Sequence, residues 1–201
     1  MDKSDLLKRV ANSGYNIGFG AKKNFATYDI VENIPKTISF ISMAFGIYCL
    51  AIDGISSKKA SATLIVFGII SIYISFYNEK KLAYRDVGIK STKLFNKTHD
   101  LYLEIKNDNS PDVDLYIEKL NEIESNFYEI SMSKQILFSG WYAHYKFFWE
   151  MQIKWVSDEL KFSLLRDKIP LSLYFSLFFV IIFCLYAIFN KIVSMIILFH
   201  C

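Results

Sequence analysis

Two nearly uncharged stretches, separated by a short polar turn, decide the fold: Thr37–Ile52 (TISFISMAFGIYCLAI) and Ala60–Tyr77 (ASATLIVFGIISIYISFY). The first extends back to Ile34 with Lys36 as its only charge, and the second carries no charge over eighteen residues. At a rise of about 1.5 Å per residue, each stretch forms a helix of about 27–29 Å, close to the thickness of the hydrocarbon core of a bilayer. The turn Asp53–Lys59 (DGISSKK) leaves room only for a direct reversal. The sequence therefore predicts a transmembrane hairpin.

A third uncharged stretch, Ile169–Asn190, is long enough for about 33 Å of helix and predicts a further span. Lys191 follows it, and the apolar residues 192–201 are too few to cross again, so they either extend the helix or lie in the interface. Pro35 and Pro170 stand near the starts of the first and third spans. Because a proline in the first turn of a helix sacrifices no hydrogen bond, we expect both spans to begin there.

The composition agrees with a membrane protein that also has a polar part. The chain has 201 residues, of which 53% are hydrophobic and 21% are charged, and the charges lie almost entirely outside the three stretches. Lys and Arg number 23 against 20 Asp and Glu, a net charge of +3. That excess is too small for a dedicated nucleic-acid binder, so we expect the lipid bilayer as a partner and no direct contact with nucleic acid.

Basic residues near the span ends predict the orientation of the hairpin. Its turn offers only Lys58 and Lys59, whereas eight basic residues flank its other end: Lys22, Lys23, Lys36, Lys80, Lys81, Arg85, Lys90 and Lys93. Because Lys and Arg near span ends remain in the cytoplasm, we expect a cytoplasmic N-terminus and an external C-terminal tail. Four parts follow: a cytoplasmic amphipathic N-terminal helix (1–33), the hairpin (34–77), a cytoplasmic helical region (78–168), and the third transmembrane helix with its apolar tail (169–201).

Two helices with one apolar face each are predicted in the cytoplasmic region. The first face consists of Tyr84, Val87, Ser91, Leu94, Thr98, Leu101 and Ile105, at spacings of three and four. The turn Asn107–Asp112 should end this helix, and Ser110 should cap the next, with Pro111 in its first turn. The second face consists of Val113, Ile117, Leu120, Ile123, Phe127 and Ile130. We expect the two faces to pack as an antiparallel hairpin within a bundle.

Assembly through this region is expected, because an isolated 78–168 segment would leave two apolar faces uncovered, which soluble monomers rarely do. Leu94 and Leu120 are the candidates for this role. From Ile136 to Trp155 the chain is also rich in aromatic residues. A helix there would be buried against other helices, including those of neighbouring subunits, or would form an interfacial aromatic belt or docking surface.

Catalytic and metal-binding patterns are missing from the sequence. His99 and His144 stand alone, without the spacing of zinc ligands. The glycines in 14–23 (GYNIGFGAKK) do not match a phosphate-binding loop, since Lys22 is followed by Lys23 and no strand precedes it; close helix packing explains them better. We expect no enzyme activity, no cofactor and no metal.

The two spans of the hairpin each carry a face of small, weakly polar residues. These pore or packing candidates are Ser39, Ser42 and Gly46 in the first span, and Ser61, Gly68, Ser71 and Ser75 in the second. Small faces let helices approach closely, and hydroxyls bond across them. Either the faces hold the hairpin to itself or to a neighbour, or after oligomerisation they line a water-filled path.

The arrangement of these segments resembles the SLATT domain, the SMODS and SLOG-associating 2TM effector domain. The resemblance is carried by Tyr15–Ile30 (YNIGFGAKKNFATYDI), Thr37–Ile52 and Thr63–Leu103. Further along, residues 147–175 (FFWEMQIKWVSDELKFSLLRDKIPLSLYF) resemble the extension ahead of a third span in some SLATT subfamilies. The family offers no catalytic residues.

The resemblance implies an effector of a bacterial anti-phage conflict system, located in the inner membrane. Such an effector is expected to form a homo-oligomeric pore when a nucleotide-signalling or sensor partner activates it. The alternative is a non-conducting membrane scaffold that recruits a partner through its cytoplasmic helices. Both hypotheses share one fold class, an all-α membrane protein with an N-terminal hairpin, a cytoplasmic bundle and a C-terminal third span.

Overall fold

The computed structural model describes residues 2–52 and 57–200, and it describes no side chains for residue 57 and residues 191–200. The described helices are α1 (Lys3–Ala51), α2 (Ser57–Ser75), α3 (Lys81–Asn107), α4 (Val113–Ile130), α5 (Ser139–Phe148), α6 (Lys154–Leu160) and α7 (Leu171–His200), with a 3₁₀ turn at Asn78–Lys80. The described part of the chain is 83% helical and contains no strand, which confirms the predicted all-α class.

The N-terminal helix and the first span form a single helix, α1, which begins at Lys3 and not at Pro35. Asp2 caps it, with a carboxylate oxygen 2.7 Å from the amide nitrogen of Asp5. The prediction that the helix of the first span begins at Pro35 was therefore wrong. A proline inside a helix removes one hydrogen bond, here the one to the carbonyl of Val31, but packing of the residues before it keeps the helix continuous.

The first half of α1 lies at the centre of the helical region. Its buried residues are Leu6, Val10, Ala11, Ser13, Gly14, Ile17, Gly18, Ala21, Asn24, Ala26, Thr27 and Val31. Most of these side chains are small, which lets α3, α5 and α6 pack closely around α1. Helices in proteins gain most of their stability from tertiary packing of one face, so these contacts are what stabilises the first half of α1.

The first predicted apolar face is buried, but its main partner is α1. Tyr84, Ser91, Leu94, Thr98, Leu101 and Ile105 are buried as expected. α3 and α4 contact one another, as the predicted hairpin requires, but α3 contacts α1 far more extensively, which the sequence did not predict. Periodicity identifies the face that is buried and does not identify its partner. The cap of α4 also differs from the prediction: Asp112, not Ser110, accepts hydrogen bonds from the amides of Asp114 and Leu115.

The aromatic stretch forms two short helices, α5 and α6, instead of one. Phe147 and Trp155 are buried against α1 and α3, whereas Tyr145 and Trp149 are exposed. Phe138 caps α5 in the left-handed conformation, with φ of 66°. Burial against other helices is therefore confirmed for Phe147 and Trp155, whereas an interfacial belt or docking surface formed by the exposed residues stays a prediction.

Residues 131–138, called here the connecting segment, fasten the bundle to the ends of both spans. Ile136 is buried in a cluster with Val31, Ile74, Tyr77 and Tyr84, which come from α1, α2, the following turn and α3. The Tyr84 hydroxyl donates to the carbonyl of Lys134 at 2.6 Å. Three regions distant in sequence are thus joined at one point: the middle of α1, the stretch from the end of α2 to the start of α3, and the connecting segment.

Residues 162–201 form a compact unit separate from residues 1–161. The predicted third span is confirmed as the helix α7, which starts directly after Pro170 and continues through residues 191–200. The apolar tail therefore extends this helix. Within the unit, the Tyr174 hydroxyl donates to the carbonyl of Leu165 at 2.9 Å and ties the start of α7 to the preceding turns.

Candidate functional site: the transmembrane hairpin and its mouth

Three described helices are long and apolar enough to cross a membrane: α1, α2 and α7. In α2 almost no residue of the span is buried inside the chain, and in the span of α1 none is. Large aliphatic and aromatic side chains such as Phe40, Leu50, Ile65 and Ile72 are exposed. Soluble monomers rarely expose so much contiguous apolar surface, so these helices require a lipid or protein environment.

The small-residue candidates fall into two groups that differ in how exposed their side chains are. Ser42, Gly46 and Ser71 are half-buried, whereas Ser39, Ser61, Gly68 and Ser75 are exposed. Two of the hydroxyls bond to their own helix: Ser39 donates to the carbonyl of Pro35 at 2.9 Å, and Ser75 to that of Ile72 at 2.8 Å.

Neither glycine of the spans is in close contact with another part of the chain. A Cβ atom built on Gly46 or Gly68 would have no other atom within 4 Å. The hypothesis that these glycines hold the hairpin to itself is therefore wrong for both positions. Their surfaces are available to a neighbouring subunit or to lipid.

The ends of the two spans next to the bundle enclose a groove of about 300 Å³, called here the hairpin mouth. It is lined by Val31, Glu32, Pro35, Lys36, Ser71, Ile74, Ser75, Asn78 and Lys81. Two of the predicted pore residues, Ser71 and Ser75, thus lie in the same groove as a cluster of charges. The other five predicted residues lie outside it.

Glu32 is the centre of that cluster. Its carboxylate forms ion pairs with Lys36, one turn along α1, and with Lys81 of α3, whose Nζ lies 2.6 Å from Glu32 Oε2. These two ammonium groups, Lys36 first, lower the pKa of Glu32 to about 2. The carboxylate therefore stays ionised across the physiological range, and the pairs are lost only as the pH falls towards 2. The Glu32–Lys36 spacing is visible in the sequence, but only the folded chain brings Lys81 to it.

The glycines before the hairpin pack against aromatic rings. A Cβ atom on Gly18 would lie 2.8 Å from the ring of Phe95 and 2.9 Å from that of Phe147. Gly20 faces Phe127 in the same way, and Gly14 faces Trp155. The prediction that these glycines serve close packing is confirmed.

The two assembly candidates are core residues of the single chain. Leu94 is 9% exposed and Leu120 is fully buried. The apolar row that α3 leaves exposed is a different one: Leu82, Ile89 and Leu103. These residues are spaced by multiples of seven, so they lie on one side of the helix, and this spacing could have been found in the sequence.

In the described part of the chain, no group of three or more His, Cys, Asp or Glu side chains is placed to hold a metal ion. The fold and the hairpin mouth define an all-α membrane protein, in which the transmembrane hairpin continues directly into a helical bundle. The family described as SMODS and SLOG-associating 2TM effector domain 6 matches residues 1–177, and the chain belongs to this SLATT family. Membership indicates a membrane effector of conflict systems.

The family match covers the bundle, the hairpin and the first turns of α7, so most of α7 lies beyond it. No curated protein and no solved structure matches the chain.

Proposed function

We propose that the protein is a pore-forming effector, whose subunits associate in the inner membrane of a bacterium and open a path through it when an anti-phage system is activated. The observation that carries this proposal is the hairpin mouth. There, two hydroxyls on the inner end of α2 adjoin three ionised side chains, an arrangement suited to water and ions at the entrance of a path.

One chain is too small to enclose such a path, so several subunits must contribute. The glycine surfaces of both spans are uncovered, and small residues of this kind allow helices of neighbouring subunits to approach closely. In the bundle, the exposed row Leu82, Ile89 and Leu103 supplies a second apolar surface for association. Activation by a nucleotide-signalling or sensor partner fits the family, and such a partner would bind the bundle.

Expression of the wild-type protein in its activated state is expected to collapse the membrane potential before the cells lyse. Replacing Ser71 or Ser75 with leucine should reduce this effect, because a drier constriction is harder to open. Replacing Gly46 or Gly68 with leucine should reduce it as well, because the neighbouring helix is pushed away. A potential-sensitive dye in growing cells measures the effect.

All variants must be compared at equal abundance in the membrane. Leu50→Ala serves as the matched control, since Leu50 is an exposed apolar residue of the first span outside the small face. A wild-type protein that leaves the potential intact would contradict the pore and favour the non-conducting scaffold. Depolarisation that persists in all four variants would place the path elsewhere, with α7 the next candidate.

The proposed orientation can be tested by thiol labelling in a variant without the native cysteines. A cysteine at Lys58, in the hairpin turn, is expected to react with an impermeant reagent in intact cells. A cysteine at Asn109, between α3 and α4, is expected to react only after lysis, because the bundle is cytoplasmic. The reverse pattern would contradict the orientation. A cysteine at Asn121, also in the bundle, checks that the result is not particular to one loop.

A further inference from the structure

The connecting segment ends in two large apolar residues that the bundle does not cover. Leu137 is 61% exposed and Phe138 is 56% exposed. They are nevertheless held firmly: Ile136 is buried in the cluster at the span ends, and the amide of Leu137 donates to the hydroxyl of Tyr73 at 3.1 Å. Because Tyr73 belongs to α2, the exposed pair is fixed beside a membrane span.

Phe138 adopts a conformation that bulky residues usually avoid. Its φ of 66° lies in the left-handed region, where the Cβ atom of any residue other than glycine approaches the following carbonyl oxygen unfavourably. The surrounding contacts maintain it: Phe138 precedes α5, and its carbonyl accepts from the amide of Tyr142 at 3.1 Å. Strain of this kind persists where the surrounding structure fixes the position of a side chain.

An apolar groove lies between this pair and the two spans. It has a volume of about 280 Å³ and is lined by Ile30, Ile34, Ile70, Tyr73, Ile74, Ile136, Leu137 and Phe138. The volume is near the lower end of the range for small-molecule sites. None of the lining residues is ionisable near neutral pH, so the groove offers nothing to a charged ligand group.

The other side of Phe138 is more polar. There a second groove is lined by Asp29, Ile30, Asn33, Ile34, Phe138, Trp141 and Tyr142. The Asp29 carboxylate pairs with Lys146 at 2.9 Å. Trp and Tyr beside charged groups are typical of the headgroup level of a membrane. The groove beside Asp29 is therefore more polar than the groove beside Ile70. The same change in polarity occurs from the lipid headgroups to the hydrocarbon core of a bilayer.

The geometry points to a lipid site. The groove binds an acyl chain of the adjacent leaflet, and the ring of Phe138 forms one wall of the site. The walls formed by Ile34 and Ile70 belong to the membrane-spanning helices, so the groove is continuous with their exposed apolar surface and opens towards the hydrocarbon core of the bilayer. This site does not depend on pore formation. A helix of a second subunit could also occupy the groove, and the experiment below distinguishes it from an acyl chain.

The test places the photoreactive residue p-benzoylphenylalanine at position 138 of the full chain. The protein is reconstituted in vesicles of palmitoyl-oleoyl phosphatidylethanolamine and phosphatidylglycerol, and it is irradiated and analysed by mass spectrometry. A lipid adduct is expected. The same residue at Leu137 should give the same adduct, and this second position covers the case in which a change at 138 disturbs folding.

Leu115 provides the matched control. It is also an exposed apolar residue, but it lies near the start of α4, at the end of the bundle where Lys3 bonds to the carbonyls of Lys106 and Asp108. The photoreactive residue there is expected to yield no lipid adduct. Crosslinking of position 138 to a second copy of the chain, or no crosslink at either 137 or 138, would overturn the proposal.

A further variant distinguishes a bound chain from passing contact with bulk lipid. Ile70→Phe fills the groove from the side of α2 and should cause loss of the lipid adduct at position 138. An adduct that is unchanged in this variant would show that the ring merely touches the bilayer, and it would overturn the acyl-chain site.

Discussion

Gly18→Leu is expected to abolish accumulation of the folded protein. The Cβ atom alone would lie within 3 Å of the rings of Phe95 and Phe147, both in the core, and leucine adds three more carbons. Overpacking of this kind costs about 3 kcal/mol or more, a large part of a total stability of roughly 5–15 kcal/mol. The amount of monodisperse protein in detergent and its melting temperature measure the effect.

Gly46→Leu is the matched control for this substitution. It makes the same chemical change in the same helix, where nothing lies within 4 Å of the new Cβ atom. We expect normal accumulation and a normal melting temperature, with only the membrane activity reduced. Equal loss of folded protein in both variants would contradict the packing described for the N-terminal half of α1.

Leu120→Asp is expected to have a comparably large effect on folding. Leu120 is fully buried, so the substitution removes its packing and places a charge without a partner in the core. The loss is about 4 kcal/mol or more in the free energy of unfolding. Limited proteolysis should therefore degrade the bundle of this variant much faster than that of the wild type.

Ile89→Asp separates assembly from folding. Ile89 lies on the exposed side of α3, so the single chain should tolerate the charge and resist proteolysis normally. If the exposed row of α3 is a contact between subunits, chemical crosslinking should show fewer oligomers. Lys90→Gln and Lys90→Glu serve as controls. Lys90 is the next residue in the chain but lies on another side of the helix, so these substitutions should leave the oligomers unchanged.

The sequence predicts most of the elements because their signals are local. Long uncharged runs specify α2 and α7, and the spacing of Leu94, Thr98 and Leu101 marks the buried side of α3. The end of α3 at Asn107 was also predicted, since the following polar turn contains Pro111. These features depend on neighbours within one or two turns of helix, which a single sequence displays.

The sequence does not predict the features that depend on distant packing. Pro35 is a helix breaker by its local chemistry, and only burial of the residues before it explains why α1 continues. In the same way, Glu32 and Lys36 are visible as neighbours on a helix, but Lys81 and Ser71 join them only after three helices have packed. Ser110 and Asp112 are both good capping residues, so the choice between them was open.

The continuity of α1 determines which movements can pass from the bundle to the membrane. The helix is about 74 Å long, and its core-facing residues, such as Leu6 and Ile17, fix its rotation about its own axis. Ser42 and Cys49 lie about three and five turns beyond Val31, so they point in the same direction as that buried side chain. Spinning the first span would pull the apolar face of α1 out of the core. A movement of the bundle would therefore reach the bilayer as a tilt or a piston-like shift of this helix, which bends most easily at Pro35, where one backbone hydrogen bond is missing.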